Sequence, residues 1–103
     1  MNQQAMLRKI RQLQKEMMET QAAIEATEFK AKSNMVTVTV LGNKELKKVE
    51  LEEGFEITDS DDLEMLSDMI VAACNICYKD IQKYTEEKMA KYQAMMGGFG
   101  GMF

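Results

Sequence analysis

The residues best suited to chemistry are a cysteine pair, a run of carboxylates and two groups of basic side chains. Cys74-Asn-Ile-Cys77 has the C-x-x-C spacing of a redox pair or of half a zinc site. A reactive thiolate gains its low pKa at a helix N-terminus or beside a cation. These two cysteines instead stand among Ala73, Ile76 and Tyr78, well inside a helical pattern. Zinc takes about four ligands, and the chain has no histidine. Buried structural cysteines are therefore expected, and the remaining metal arrangement is a zinc ion shared between two copies of the pair. The carboxylates from Glu50 to Asp68 lack the Asp-x-Asp-x-Asp-Gly order of an EF-hand loop and read as a solvated acidic surface. Without histidine, and with no nucleophile paired to a base, no enzymatic activity, cofactor, metal or small-molecule substrate is expected.

The basic residues offer a different chemistry. Arg8, Lys9, Arg11 and Lys15 give residues 1–15 a charge of +4 with no intervening acid, whereas residues 50–68 carry −9. Lys79, Lys83, Lys88 and Lys91 lie in the last third of the chain. Clustered Lys and Arg bind phosphates by displacing counterions, so the distribution of charge matters more than the net −4.

The elements that carry these residues follow from periodicity. Met6, Ile10, Leu13, Met17 and Ile24 form a heptad stripe with Thr20 in the vacant slot, which predicts a helix over roughly 3–27. Its basic residues occupy the first half and its acids, Glu16, Glu19 and Glu25, the second, the reverse of what the helix dipole favours. Residues 35–41 then alternate, with Val36, Val38 and Val40 on one face of a strand. Gly42-Asn43 signals a hairpin into a second strand over 45–52, whose Lys47, Val49 and Leu51 should align with the valines. Phe29-Lys-Ala-Lys-Ser33 suggests a short edge strand guarded by its lysines. After a loop at 53–59, Asp59 or Ser60 can cap a second helix over about 60–94, with Leu63, Leu66, Ile70, Ala73, Cys77, Ile81 and Tyr84 on its stripe. Met6, Met17, Met65 and Met69 fall on helix stripes and are expected in the core.

At 103 residues the chain fits one α+β domain over 1–96: an N-terminal helix, a short three-stranded antiparallel sheet and a long C-terminal helix. The tail, 97–103, with glycines at 97, 98, 100 and 101, is expected to be flexible. No apolar run is long enough to cross a bilayer, the stretch from Met1 to Met6 is polar rather than signal-like, and two cysteines do not make a disulfide framework, so a cytoplasmic protein with reduced thiols is expected. A second helix of about 50 Å outruns a compact body of this size, and its apolar face is broader than a small sheet can cover. A homodimer is the expected remedy. If the two helices pack antiparallel, the basic ends of both lie at one pole of the molecule and the acidic stretch at the other.

Several segments, in order, resemble the YbaB/EbfC family of nucleoid-associated proteins. They are the first helix from Met6 to Met17, the strand and turn Val36-Thr-Val-Thr-Val-Leu-Gly42, the strand Lys47-Lys-Val-Glu-Leu51, the segments Glu64-Met-Leu-Ser-Asp68 and Val71-Ala-Ala-Cys-Asn75, and Glu86-Glu-Lys-Met89 before a Gly/Met/Phe tail. The resemblance implies a dimer with a paired body and projecting helical arms like tweezers, and DNA binding in the bacterial nucleoid. The expected partner is double-stranded DNA, held at its phosphate backbone by Arg8, Lys9, Arg11 and Lys15 with help from Lys83, Lys88 and Lys91. Such contacts position a protein without reading sequence, and no recognition-helix motif is present. The rival reading is a prefoldin-like chaperone or adaptor, since helix, hairpin and helix also describe that architecture.

Overall fold

The computed structural model describes residues 2–97; of the tail expected over 97–103, Gly97 belongs to the second helix and the rest lies outside the described residues. The elements are α1 (Gln3–Ala26), β1 (Glu28–Ser33), β2 (Val36–Leu41), β3 (Leu46–Leu51) and α2 (Ser60–Gly97), so the α+β order read from the sequence stands. The sheet is antiparallel with order β1-β2-β3, and the weakly signalled edge strand is a full strand. Helix α2 continues past 94 to Gly97, giving 38 residues, or about 57 Å at the standard rise. The described chain measures 72 × 20 × 14 Å with a radius of gyration of 20.4 Å, against about 13 Å for a compact chain of this length.

One face of the sheet is apolar. In register, Phe29 and Ala31 of β1 lie beside Val40 and Val38 of β2, and Val38 and Val36 lie beside Val49 and Leu51 of β3. Helix α2 lays Met69, Ala73, Cys77 and Ile81, a strict four-residue repeat, over β1 and β2. Val36, Val38, Val40, Ala73 and Cys77 are fully buried. Fully burying a valine side chain contributes on the order of 1.5 kcal/mol or more, so this seam holds the fold together.

Strand β3 departs from the expected pairing. A bulge between Thr39 and Val40 sets Leu46, not Lys47, opposite Val40. The extra residue rotates Lys47 to the polar face, where its Nζ bonds the Glu28 carboxylate. That hydrogen bond and the lysine charge hold the Glu28 carboxyl below its ordinary range. The apolar face of β3 is therefore Leu46, Val49 and Leu51, and α2 does not cover it: all three are exposed. Met65 is also 54% exposed, contrary to a core role: it continues the 69-73-77-81 spacing one turn toward the helix start, where the buried core cluster, which begins at Met69, does not reach.

The hairpin signal Gly42-Asn43 works differently from the expectation as well. The positive φ falls on Lys44, at 74°, and not on Gly42. Lys44 N–H donates to Leu41 O at 2.7 Å, closing a turn over 41–44, and Asn43 Oδ1 accepts from Glu45 N–H at 2.8 Å. Gly42 is there for proximity. A Cβ on it would stand 1.7 Å from the Ile24 carbonyl oxygen. Its N–H donates to Thr27 O at 2.9 Å, and Asn43 N–H donates to Glu25 O at 3.3 Å. The turn thus grips the last turn of α1. In the other hairpin the positive φ, 52°, is taken by Asn34, a residue that tolerates the left-handed region.

Helix α2 starts where its acids predict. Asp59 Oδ1 accepts from Asp62 N–H at 3.0 Å, and the Asp62 carboxylate accepts in return from the Thr58 N–H and hydroxyl at 2.9 and 2.8 Å. These bonds hold the Asp62 carboxyl below its ordinary range, the Thr58 N–H being the largest cause. Replacing Gly42 with Ala is expected to force the α1 root off the turn at a cost of at least about 2 kcal/mol, read as a lowered midpoint in chemical unfolding.

Candidate nucleic-acid interface

Helix α1 packs antiparallel along the outer half of α2. The Thr20 and Tyr92 hydroxyl oxygens share a hydrogen bond at 2.9 Å, and Thr20, Ala23 and Ile24 line a cleft of 480 Å³ with Tyr84, Glu87, Lys88 and Lys91. Ile24 and Tyr92 are buried, as is Leu13 farther out. The heptad stripe read from the sequence is the inward face: Met17 and Thr20 are half-buried between Leu13 and Ile24, and Met6 and Ile10 are half-buried beyond Leu13. Because residue 20 of α1 is level with residue 92 of α2, the first dozen residues of α1 extend beyond Gly97. The two helices form an arm.

The geometry gives the predicted basic residues separate places. Arg8, Arg11 and Lys15, spaced by three and four, lie on one face of α1, opposite the inward stripe. All three are exposed, and Lys9, also exposed, lies off that line. Asn2 caps the helix by accepting from Ala5 N–H at 2.7 Å, and no acid occupies the first turn. The positive end of the helix dipole therefore adds to the arginines instead of being neutralised. Lys88 and Lys91 stand nearer the arm's root, at the level of Thr20 to Ile24, with their ammonium groups 5.4 Å from the Tyr84 ring centre and 4.9 Å from that of Tyr92. Lys83 lines neither cleft and stands apart from the rest. The salt bridges among the described residues, Lys32–Glu52, Lys47–Glu28 and Lys48–Glu50, are all on the sheet and the strand that leads from it, so none of the arm's cations is neutralised by one. The expected gathering of basic charge at one pole is met by this antiparallel packing, though spread along the arm over several turns.

The aromatic rings are engaged elsewhere. Tyr84 packs edge-on against Phe29 with ring centres 5.4 Å apart, and Tyr92 is buried. Among the described residues the outer arm therefore presents charge and hydrogen-bond donors, not a stacking platform for bases. Both cysteines are free, Cys74 half-buried and Cys77 fully buried with its Sγ 3.6 Å from the Phe29 carbonyl oxygen. Burial, then the Asp80 charge and Cys74, push the Cys77 thiol up, away from a reactive thiolate.

A family model described as the YbaB/EbfC DNA-binding family matches residues 1–96. The chain belongs to this family. A nucleoid-associated protein of Enterococcus faecalis is 34% identical over 100 residues, covering 95% of this chain and 94% of the relative. One from Agathobacter rectalis is 38% identical over 102 residues, covering 97% and 86%. In fold, the chain is similar to the crystal structure of an uncharacterized protein from Helicobacter pylori, with a TM-score of 0.66 at 20% identity, over 84% of this chain and 91% of that one. In this YbaB/EbfC protein no described helix is long and apolar enough to cross a membrane. Among the described residues no cluster of three or more His, Cys, Asp or Glu side chains is placed to hold a metal ion.

Tyr92→Phe removes the hydroxyl bond that ties the arm together, at an expected cost of about 1 kcal/mol. Amide hydrogen exchange across residues 10–21 is expected to quicken by roughly fivefold, while exchange in β2 is unchanged.

Proposed function

We propose that this YbaB/EbfC protein acts in the bacterial cytoplasm as a nucleoid-associated homodimer that holds double-stranded DNA between two helical arms. The reading is carried by the exposed stripe of Arg8, Arg11 and Lys15 on a helix that projects beyond the body. Lys9 lies beside the stripe, and Lys83, Lys88 and Lys91 add positive charge nearer the body. These side chains are suited to phosphate oxygens and carry no base-reading pattern, so binding should depend strongly on salt and weakly on sequence.

The second copy has a surface to occupy. The bare β3 face, Leu46, Val49 and Leu51, is accompanied by exposed Ile57, Leu63 and Val71. The flank of α2 that holds Tyr78 turns toward the β2–β3 loop, since Tyr78 and Asn75 share a cleft with Gly42 and Lys44. Sheet edge and helix flank thus lie on one side of the body. A two-fold partner placed there covers the β3 face and the part of the flank nearer the helix start, from Leu63 to Val71, with the same patch of its own, sets two arms side by side and leaves the cleft at Tyr78 open between them. The acidic residues from Glu50 to Asp68, at the opposite end, keep the body off the phosphate backbone.

Changing Arg8 and Arg11 together to Glu is expected to weaken binding to a duplex oligonucleotide by at least about tenfold at fixed salt and to flatten the salt dependence; unchanged binding would remove these residues from the interface. Val49→Glu with Leu51→Glu is expected to halve the mass measured by light scattering, and a variant that keeps the wild-type mass would place the dimer contact elsewhere.

A further inference from the structure

On the other flank of α1 from Lys88 and Lys91 there is a larger cleft, of 810 Å³, between the root of the arm, the β2–β3 turn and α2. Its polar lining includes Gln21, Lys44, Asn75, Tyr78, Lys79 and Gln82. Amides, a phenol and two ammonium groups all donate hydrogen bonds, and anionic oxygens accept them. Gln82 and Gln21 each place one amide N–H on a carboxylate of their own helix, Glu86 at 3.2 Å and Glu25 at 3.3 Å, which leaves the second N–H of each amide for another acceptor. Lys44 and Lys79 are exposed and enter no salt bridge among the described residues.

Lys44 stands out for a second reason. It holds φ at 74° at the end of a turn closed by its own N–H to Leu41 O. A tight turn followed by a left-handed residue is a standard hairpin connection, and glycine is the usual occupant because a side chain there is strained. Lysine in that place is a conformational cost that the turn does not require, and strained residues concentrate where a side chain is used. Here the strain holds a cation in the cleft wall at the foot of the arm.

We propose that Lys44 and Lys79, with the Gln21, Asn75 and Gln82 amides, form a second site for the DNA phosphate backbone, at the floor between the arms. The inference rests on the reading of the arms as a DNA clamp. The cleft lies on the β3 side of the arm, the side assigned to the second copy, so in the dimer the two floors face the space between the arms. By the helix rise, Gln21 is about 15 Å from Arg11 and about 20 Å from Arg8 along α1, a depth comparable to the thickness of a duplex. A duplex gripped at the tips then rests on the floor, and each arm touches backbone at two levels.

The test uses the full chain and a short duplex oligonucleotide, titrated by fluorescence anisotropy at several salt concentrations, with Lys44→Gly, Lys79→Gln, their combination, Lys44→Arg and the Arg8→Glu/Arg11→Glu pair. The combined floor variant is expected to bind at least about tenfold more weakly, with the slope of log affinity against log salt reduced by about 0.9 for each phosphate that is no longer neutralised. Lys44→Arg is expected to keep the wild-type slope. Lys44→Gly alone is expected to melt at or above the wild-type temperature while binding DNA less well, which separates the missing cation from a failure to fold. Wild-type affinity and slope in the combined floor variant, with binding abolished in the tip variant, would overturn the floor site and leave the clamp standing. Full binding by the tip variant would overturn the tip assignment instead. A Lys44→Gly protein that melts lower would refute the argument from strain.

Discussion

Everything in this molecule hangs on the burial of three valines under one helix. Val36, Val38 and Val40 are sealed by Met69, Ala73, Cys77 and Ile81. That seam is narrow: it spans β2 and β1 and leaves β3 uncovered. A sheet of three strands is wider than one helix, so a residual apolar face is a geometric consequence and not an accident of composition. The same seam is also short relative to α2. Only the first half of the helix is needed to cover the sheet, and the remainder leaves the body as the core of an arm.

An arm of two helices has little core of its own, and its direction is set at the root. There the chain relies on an approach too close for any side chain. Gly42 admits the Ile24 carbonyl, and the N–H groups of Gly42 and Asn43 take the Thr27 and Glu25 carbonyls that α1 would otherwise leave without partners. Farther out, the Thr20–Tyr92 hydroxyl pair and buried Ile24 hold the helices in register. Body and arm are thus joined by a turn that serves both, which is how a change of one glycine can reach a surface many ångströms away.

Electrostatics follow the same long axis. The arm keeps its cations out of salt bridges among the described residues, whereas three of the four lysines of the sheet, Lys32, Lys47 and Lys48, each pair with a carboxylate. Basic residues at the positive end of α1 raise the helix's own cost and raise the local potential offered to a polyanion. A chain with net negative charge can in this way carry a cationic extremity.

Periodicity in the sequence determined the order of the elements, because α2's four-residue apolar spacing and β2's alternation are local and strong. It also determined the inward face of α1, since Met6, Ile10, Leu13, Met17 and Ile24 repeat as a heptad. The basic residues of the arm and the family were legible for the same reason: charge and segment order are written along the chain. What only the tertiary structure decided came from interactions between distant residues. The bulge that exchanged Lys47 for Leu46 brings Lys47 against Glu28, nineteen positions away. The role of Gly42 depends on Ile24, and the positive φ of the turn falls on Lys44. Met65 was left exposed because side-chain spacing allows a longer stripe than the sheet can cover. Local pattern specifies which face is apolar; only packing decides how much of that face has something to lie against.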